Sequence, residues 1–302
     1  MVERKIIYLI NPISGTKKKA SLQQLISKRT KDAGIIFEIV HTNAKGDYDF
    51  LKERIRKENI TDIVICGGDG TVNAVAASLI GVPVNIGIIP MGSGNGLALA
   101  AKIPIQASKA LDIIFHGKAS FIDGFYINNE FSCMLCGIGF DALVAHEFAK
   151  QKKRGLQTYI KVGAINFFKT NPYSFEIKIK NKSLSVDAFF ISIANGNQFG
   201  NNFTIAPKAS LQDGLIDVVI VKKMSKFLLP FSILNQVIGI NSMQNLNEYA
   251  TKKNIIYFQT PSLSITNIHN APLHIDGDPK QTAAKFDIQV VPKALKLIQP
   301  AV

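Results

Sequence analysis

Two glycine-rich segments carry the side chains best suited to chemistry. The first, GGDGT, spans Gly67–Thr71 and follows an apolar run. Successive backbone N–H groups in such a turn form a concave anion site, and glycine lets a phosphate approach the backbone closely. Because Asp69 would repel a bare phosphate, we predict that its carboxylate meets a hydroxyl group or a metal-bound phosphate. On its own, the segment is better explained as a structural turn between a strand and a helix, but a second phosphate-suited loop follows the next strand.

The second segment, MGSGNG, places Gly92, Ser93 and Asn95 after the next apolar run. It is not the dinucleotide fingerprint, because Leu97 stands where G-x-G-x-x-G requires glycine. We find no match to G-x-x-x-x-G-K-[ST] or to the protein-kinase signatures. Two neighbouring anion loops without those motifs indicate a nucleoside triphosphate held mainly by backbone and neutral side chains.

Strand and helix patterns alternate through the first ~120 residues and position these segments. The strand-like runs are KIIYLI, IIFEIVHT, DIVIC and VNIGIIP, and helix-like stretches separate them. This alternation predicts a parallel sheet with helices on both faces, which binds ligands at the carboxyl ends of its strands. Asn11, Thr42 and the two glycine segments all follow strands, so we expect them to share one edge.

The pattern changes near Asp123 to short strands joined by turns, which is typical of an antiparallel sandwich or barrel. Turns are predicted at Asn128–Asn129 and near Asn181–Lys182, and helices near Ala142–Lys150 and Phe227–Tyr249. We predict an α/β domain over 1–123, with the tail 286–302 packing back on it, and a β-sandwich domain over 124–285.

Composition narrows the class of protein. The chain has 302 residues and three cysteines, which argues against a disulfide scaffold; we expect Cys133 and Cys136 to be small buried residues rather than zinc ligands. We find no signal-peptide pattern and no apolar run of the ~20 residues that a membrane span needs, and we expect a cytoplasmic protein. A net charge of +13 suits nucleic acid or an anionic membrane, but no nucleic-acid motif accompanies it.

Five motifs occur in a fixed order: NPISG, GGDGTVNAV, PMGSGNGLALA, the segment Ala194–Val221 with its P-x-A-x-x-x-D-G pattern, and HIDGDP at His274–Pro279. Together they resemble the diacylglycerol kinase catalytic-domain family of bacterial lipid kinases, which is related to sphingosine and ceramide kinases. The resemblance implies a Rossmann-like three-layer α/β domain, then an antiparallel β-sandwich, with the nucleotide in the interdomain cleft. It also implies ATP- and Mg²⁺-dependent phosphorylation of a lipid hydroxyl, with diacylglycerol as the first candidate acceptor.

Carried onto this sequence, the resemblance implies two sets of binding residues. A structural metal would be held by Asp213 and the backbone oxygens of Ser210 and Leu215. The nucleotide would be bound by Asn11, Thr42, Gly67, Gly68, Asp69, Gly70, Thr71, Asn73, Gly92, Ser93 and Asn95.

The family's D-G-E motif reads DGD here, so the proton acceptor falls on Asp278, one methylene shorter than glutamate. Asp69 is the competing base, and Asp276 is a candidate Mg²⁺ ligand. The G-S-G-N-G loop differs from the G-T-x-N-D of many bacterial members, so the identity of the lipid substrate stays undecided. A sphingoid-base kinase, an NAD-type metabolite kinase and a nucleotide- or lipid-binding regulator are the alternatives.

The partners expected are a membrane lipid and, peripherally at the inner membrane face, an anionic bilayer surface. The docking candidates are Lys152–Arg154 and the apolar stretch Phe227–Ile240, flanked by Lys222, Lys223 and Lys226. An ordinary core-packed helix is the simpler interpretation of that stretch. We expect no nucleic-acid partner. The sequence leaves open whether the protein forms a homodimer.

Overall fold

The structure, a computed structural model, describes residues 3–11, 19–43, 46–151, 156–167, 169–198, 204–244 and 253–301. The chain divides into two compact units, Met1–Ile122 with Lys293–Val302, and Asp123–Pro292. The helices are α1 (Lys19–Asp32), α2 (Phe50–Glu58), α3 (Asp69–Ser78), α4 (Gly96–Ala100), α5 (Ala107–His116), α6 (Phe140–Ala149), α7 (Leu156–Phe167) and α8 (Leu229–Val237). The strands are β1 (Lys5–Ile10), β2 (Ile36–His41), β3 (Asp62–Gly67), β4 (Asn85–Pro90), β5 (Lys118–Ile127), β6 (Glu130–Ser132), β7 (Leu135–Gly139), β8 (Tyr173–Ile179), β9 (Lys182–Ala194), β10 (Ile216–Lys222), β11 (Ile255–Thr260), β12 (Ser262–Asn267), β13 (Leu273–Ile275), β14 (Asp278–Lys280) and β15 (Lys285–Gln299).

The first unit contains a parallel sheet in the order β4-β3-β1-β2, and the end of β15 pairs parallel with β4. All six residues of the central strand β3 are buried, as expected for a parallel strand covered on both faces. Parallel pairing brings the carboxyl ends of β1, β2, β3 and β4 to one edge. The predicted α/β domain is confirmed.

The second unit is built of antiparallel pairs in the order β14-β13-β7-β9-β8-β12, with β12 pairing residues 285–289 of β15. β10 pairs with β9 on one side and β11 on the other. Alternate residues of the strands face a common core, for example Phe175, Ile177 and Ile179 in β8. The predicted β-sandwich is confirmed.

Several local predictions need correction. The sequence reasoning omitted α5 and α7, although Ala110, Leu111 and Ile114 of α5 carry the buried i, i+1, i+4 pattern of a helix face. The β8–β9 turn is Lys180–Asn181, one residue earlier than predicted, because Ile179 pairs with Lys182.

The helix expected to pack in the core was also predicted wrongly. α8 is shorter than the predicted 227–249, of which residues 245–249 lie outside the described residues. It buries Leu229 and Gln236 but leaves the side chain of Phe231 68% exposed. Apolar residues lie on both faces of this helix, so its hydrophobicity did not show which face would meet the core.

The remaining predictions concern the cysteines, a membrane-spanning helix and two motifs near or outside the limits of the described residues. Cys133 and Cys136 are buried, as predicted, and Cys66 is a buried free thiol as well. Within the described residues, no helix is long and apolar enough to cross a membrane. The NPISG motif beyond Asn11 and the cluster Lys152–Arg154 lie outside the described residues.

One buried amide holds the long loop that carries the β13–β14 hairpin. The Asn267 Nδ2 donates to the carbonyls of Ala271 (3.0 Å) and Ala283 (3.1 Å). Its Oδ1 accepts the Ala271 N–H at 2.8 Å, and the residue is only 2% exposed. The amide therefore joins both ends of the loop.

We predict that Asn267→Ala lowers the free energy of unfolding by about 2–4 kcal/mol, because it leaves several buried polar groups without partners. The matched control is Asn43→Ala, which removes an exposed 2.7 Å bond to the Asp47 carbonyl and should cost less than about 0.5 kcal/mol. Urea denaturation of both variants measures the difference. Equal losses would contradict the bracing role of Asn267.

Candidate active site

The two glycine segments contact each other through their backbones. A Cβ added at Gly92 would lie 2.7 Å from the Gly68 Cα, and one added at Gly68 would lie 3.0 Å from the Gly92 Cα. Gly68 follows β3 and Gly92 follows β4, so neighbouring parallel strands bring the two loops together. The absence of side chains at both positions permits this approach.

The carboxylate of Asp69 ties the two loops together. Its Oδ2 accepts the backbone N–H of Asn95 and its Oδ1 accepts that of Gly96, both at 2.8 Å. Asp69 is also the first residue of α3, where the positive end of the helix dipole stabilises its negative charge. The predicted catalytic role of Asp69 stays a prediction.

Asn95 braces its own loop. The backbone is left-handed here, with φ of 54°, and the residue is 6% exposed. Its Oδ1 accepts the Gly92 N–H and its Nδ2 donates to the Gly92 carbonyl, both at 2.8 Å. These bonds give the Asn95 side chain a bracing role, and its predicted nucleotide contact stays a prediction. Ser93 in the same loop is exposed, and its hydroxyl is accessible to a ligand.

The ends of β1 and β2 bring further predicted residues to the same sheet edge. The Asn11 Nδ2 donates to the Thr71 Oγ1 at 2.8 Å, which joins the end of β1 to the first turn of α3. Thr42 follows β2, and its N–H donates to the Ile10 carbonyl at 3.0 Å. Thr42 is buried and hydrogen-bonded to Tyr48, whose pKa is raised by burial. The remaining predicted members lie in β3 and α3: Gly67, Gly70 and Asn73.

Two cavities open at the opposite edge of this sheet, where the strands begin. One of about 330 Å³ is lined by Arg4, Thr61 and Asp62, and one of about 750 Å³ is lined by Asn59, Thr61 and other residues. Asp62 is buried and paired with Arg4, which explains the polar lining of the smaller cavity. No predicted site residue lines either cavity, so the chemistry proposed below does not use them.

In the second unit, Asp276 and Gly277 form the two-residue turn between β13 and β14. Both have positive φ, 50° and 83°, as in the type I′ turns that Asp-Gly favours. Asp276 is buried, and its Oδ1 accepts the Ser132 hydroxyl at 2.8 Å and the Leu135 N–H at 3.0 Å. Asp278, two residues later, is exposed. The two carboxylates of the DGD motif therefore differ completely in environment.

A buried pair that the sequence reasoning missed supports this turn. The Gly277 N–H donates to the His274 Nδ1 at 3.2 Å, which assigns the ring proton to Nε2. That nitrogen lies 3.5 Å from the Asp141 Oδ2, and both side chains are buried. A Cβ added at Gly137 would collide with the same carboxylate oxygen. The histidine of the HIDGDP motif could have indicated such a pair. Its partner Asp141 lies in a distant segment of the chain, so the sequence did not identify it.

The predicted metal ligands lie around the turn before β10. The Asp213 Oδ1 accepts the Leu215 N–H at 3.1 Å, and its Oδ2 accepts the Gln259 Nε2 at 3.1 Å. Burial raises the pKa of Asp213, and the charge of Asp123 acts in the same direction. Ser210 is exposed in the same turn. No group of three or more His, Cys, Asp or Glu side chains suited to a metal occurs among the described residues.

Two family models cover most of the chain. Residues 5–127 match the diacylglycerol kinase catalytic domain, and residues 135–299 match the YegS C-terminal NAD kinase beta sandwich-like domain. A protein of Shewanella frigidimarina named "Probable lipid kinase YegS-like" is 30% identical over 83% of this chain and 80% of its own length. The chain belongs to the YegS-like lipid kinase family.

Other comparisons agree with this membership. A Yersinia enterocolitica protein of the same name is 29% identical over 90% of both chains. A crystal structure of a diacylglycerol kinase from Bacillus anthracis superposes with a TM-score of 0.75 at 18% identity, covering 99% of this chain and 98% of the other. The structural likeness shows the shared fold, and the sequence matches show that this chain carries the family's kinase catalytic domain.

We predict that Gly92→Ala lowers the free energy of unfolding by about 1–3 kcal/mol, because the new methyl group forces the two loops apart. The control is Gly163→Ala in α7, where the nearest atom to an added Cβ is the Val144 Cγ1 at 4.0 Å; it should stabilise by about 0.5–1 kcal/mol. Thermal denaturation compares the two. A neutral Gly92→Ala would contradict the loop contact.

We predict that Asp69→Asn costs about 1–3 kcal/mol of stability, because its amide group turns a donor toward the N–H of Asn95 or Gly96. Asp278→Asn, at an exposed position, should change stability by less than about 0.5 kcal/mol. Denaturant unfolding of both variants gives the comparison. If Asp69→Asn kept full stability, the carboxylate would not be the element that joins the loops.

Proposed function

We propose that this kinase transfers the γ-phosphate of ATP to a hydroxyl group of a membrane lipid, with diacylglycerol as the first candidate. The observation that carries the proposal is the pair of glycine loops at one sheet edge, in backbone contact and joined by the Asp69 carboxylate. Phosphoryl transfer depends on alignment and charge neutralisation more than on covalent chemistry. A rigid pair of anion-binding loops meets the first requirement.

The residues of this edge fit a triphosphate. Side chains are absent at Gly68 and Gly92, so a phosphate can approach the backbone closely, and the ten-residue helix α3 starts there with its positive end. Thr71 and Ser93 supply neutral hydroxyl groups. Asn11 fixes the Thr71 hydroxyl by a 2.8 Å hydrogen bond, so it positions that group before any ligand arrives.

The carboxylates also fit a nucleotide-borne Mg²⁺. Magnesium typically uses one or two protein carboxylates together with phosphate oxygens and water, so a closed protein cage is unnecessary. When bound, the ion neutralises developing phosphate charge. Asp69, the first residue of α3, is our proposed ligand for it, directly or through water. Asp276, the earlier candidate, has an oxygen already engaged by Ser132 and Leu135, which favours a role in holding the hairpin.

Asp278 is our proposed general base. Its carboxylate is exposed on β14, so an acceptor hydroxyl can reach it, whereas Asp276 is buried two residues away. The His274–Asp141 pair and the type I′ turn hold the backbone from which Asp278 projects. The shorter side chain relative to the family's glutamate requires closer approach or a bridging water.

The Asp213 turn is proposed to hold a structural cation, with the carbonyls of Ser210 and Leu215. Both Asp213 oxygens accept one hydrogen bond and keep further lone pairs, which suits a hard cation with oxygen ligands. Such an ion would fix the chain entering β10.

A second candidate function is a metabolite kinase acting on NAD. One observation favours it: the matched C-terminal domain is described as NAD kinase beta sandwich-like. The acceptor assay below therefore includes NAD.

The test is transfer of labelled phosphate from γ-labelled ATP with Mg²⁺ into diacylglycerol, sphingosine or a total lipid extract, and separately into NAD. We expect one chromatographically resolved lipid product. Label in NAD alone would establish the metabolite kinase. No product in either, with an ATP-dependent rise in melting temperature intact, would favour a nucleotide-binding regulator.

We predict that Asp278→Asn lowers the lipid phosphorylation rate by about 10²–10⁴-fold, the usual effect of losing a general base. Asp278→Glu restores the family's residue type and should retain activity. Asp32→Asn, another exposed aspartate, is the matched control and should be unaffected. Near-normal turnover of Asp278→Asn would remove this residue from the mechanism.

A further inference from the structure

An apolar surface surrounds α8 in the second unit. The described residues expose thirteen large apolar side chains, and six of them lie within residues 227–240. Phe227 is 85% exposed and Phe231 is 68% exposed. This concentration is unusual for scattered surface residues and marks an interaction surface. We call it the α8 surface; its members are Phe227, Leu228, Phe231, Leu234, Ile238 and Ile240.

The helix is held so that this surface faces outward. Leu229 and Gln236, two helical turns apart, are buried, and the Gln236 Nε2 donates to the Ile205 carbonyl at 2.8 Å. At 100° per residue, Phe231 and Leu234 lie on the opposite side of the helix. The apolar face is therefore presented by a helix anchored through its other face.

The charged side chains within residues 222–244 all have one sign. Lys222, Lys223 and Lys226 immediately precede it, and the chain has no acidic residue from 222 to 244. The whole chain carries a net charge of +13. Lysines next to exposed aromatic and aliphatic side chains are the composition of segments that lie in the interface of an anionic bilayer.

The length of the helix excludes insertion across a bilayer. α8 has nine residues, about 14 Å at 1.5 Å per residue, against a hydrocarbon core of about 30 Å. A helix of this size can lie in the membrane plane with its apolar face among the headgroups and upper acyl chains. The outward orientation of the α8 surface meets that geometry.

A second copy of the chain is the less suitable occupant. In a two-fold dimer the same patch faces itself, so the lysines beside each surface would meet lysines of the same sign. An anionic lipid surface removes that repulsion and supplies the opposite charge. Charge complementarity therefore favours the bilayer.

We propose that the α8 surface docks the protein on an anionic lipid bilayer, by insertion of its apolar side chains and attraction of the neighbouring lysines. The choice of a lipid surface rests in part on the proposed function, because a kinase for a membrane lipid must reach its acceptor at the bilayer. The binding itself needs neither ATP nor catalysis.

The direct test uses the absence of tryptophan from the chain. Phe231→Trp introduces a single fluorophore on the α8 surface. With vesicles of phosphatidylcholine and phosphatidylglycerol at 70:30, we expect a blue shift of its emission and quenching by brominated acyl chains. Unshifted emission with these vesicles would overturn the proposal.

Substitution separates the apolar and charged contributions. Phe231→Ser with Leu234→Ser should weaken vesicle co-sedimentation about a hundredfold, because burial of each such side chain is worth roughly tenfold or more. The matched control, Ile105→Ser with Ile268→Ser, alters two other exposed apolar residues and should bind normally. Lys223→Gln with Lys226→Gln should cost about fivefold per lysine and reduce the salt dependence. Equal losses in the control and the α8 variants would overturn the assignment to this surface.

Two further measurements distinguish the remaining outcomes. Sedimentation velocity of the wild type and the Phe231→Ser, Leu234→Ser variant tests for a dimer; a dimer lost in the variant, without vesicle binding by the wild type, would assign the surface to a second copy. The phosphorylation rate of a short-chain, water-soluble diacylglycerol should be the same in both proteins, while the rate on vesicles falls in the variant. Vesicle binding without phosphorylation of any acceptor would refute the kinase proposal and leave the docking proposal standing.

Discussion

The bond between the Asp69 carboxylate and the amides of Asn95 and Gly96 is the interaction on which the candidate site depends. Parallel strands bring loop ends to one edge but do not fix the distance between the loops. The carboxylate fixes it, and Gly68 and Gly92 allow the resulting close contact. The loops are thus held in place by their own hydrogen bonds. In the proposed function, loops fixed in this way avoid the entropic cost of ordering on binding and supply the electrostatic preorganisation that phosphoryl transfer uses.

In the second unit, buried polar groups likewise hold a turn in place. A type I′ turn at Asp276–Gly277 reverses the chain within two residues, and the Asp276 carboxylate is fixed by Ser132 and Leu135. His274 holds the Gly277 amide, with Asp141 behind it. These buried contacts leave Asp278 as the exposed carboxylate of the motif. A motif with two aspartates therefore contains one structural and one accessible acid, a distinction of environment rather than of residue type.

The α8 surface shows how burial and function compete. A short helix anchored by Leu229 and Gln236 could have turned its larger apolar residues inward, yet it exposes them. Exposed aromatic area costs free energy in water, so a monomer in solution gains nothing from it. In the proposed docking, the cost is recovered when the bilayer removes that area from water, and the neighbouring lysines favour an anionic lipid surface.

Much of this molecule was determined by local sequence. The strands β1, β3 and β4 were predicted almost to the residue, because buried parallel strands are continuous apolar runs bounded by glycine, proline or asparagine. The turn at Asn128–Asn129 and the glycine loops were likewise marked by residues that tolerate special backbone geometry. Tertiary structure alone decided which polar groups meet: Asp69 with Gly96, Asn267 with Ala283, and His274 with Asp141. It also decided that Phe231 faces solvent. Periodicity fixes which residues share a face, but the face that is buried depends on what packs against it, and the partners come from segments far apart in the chain.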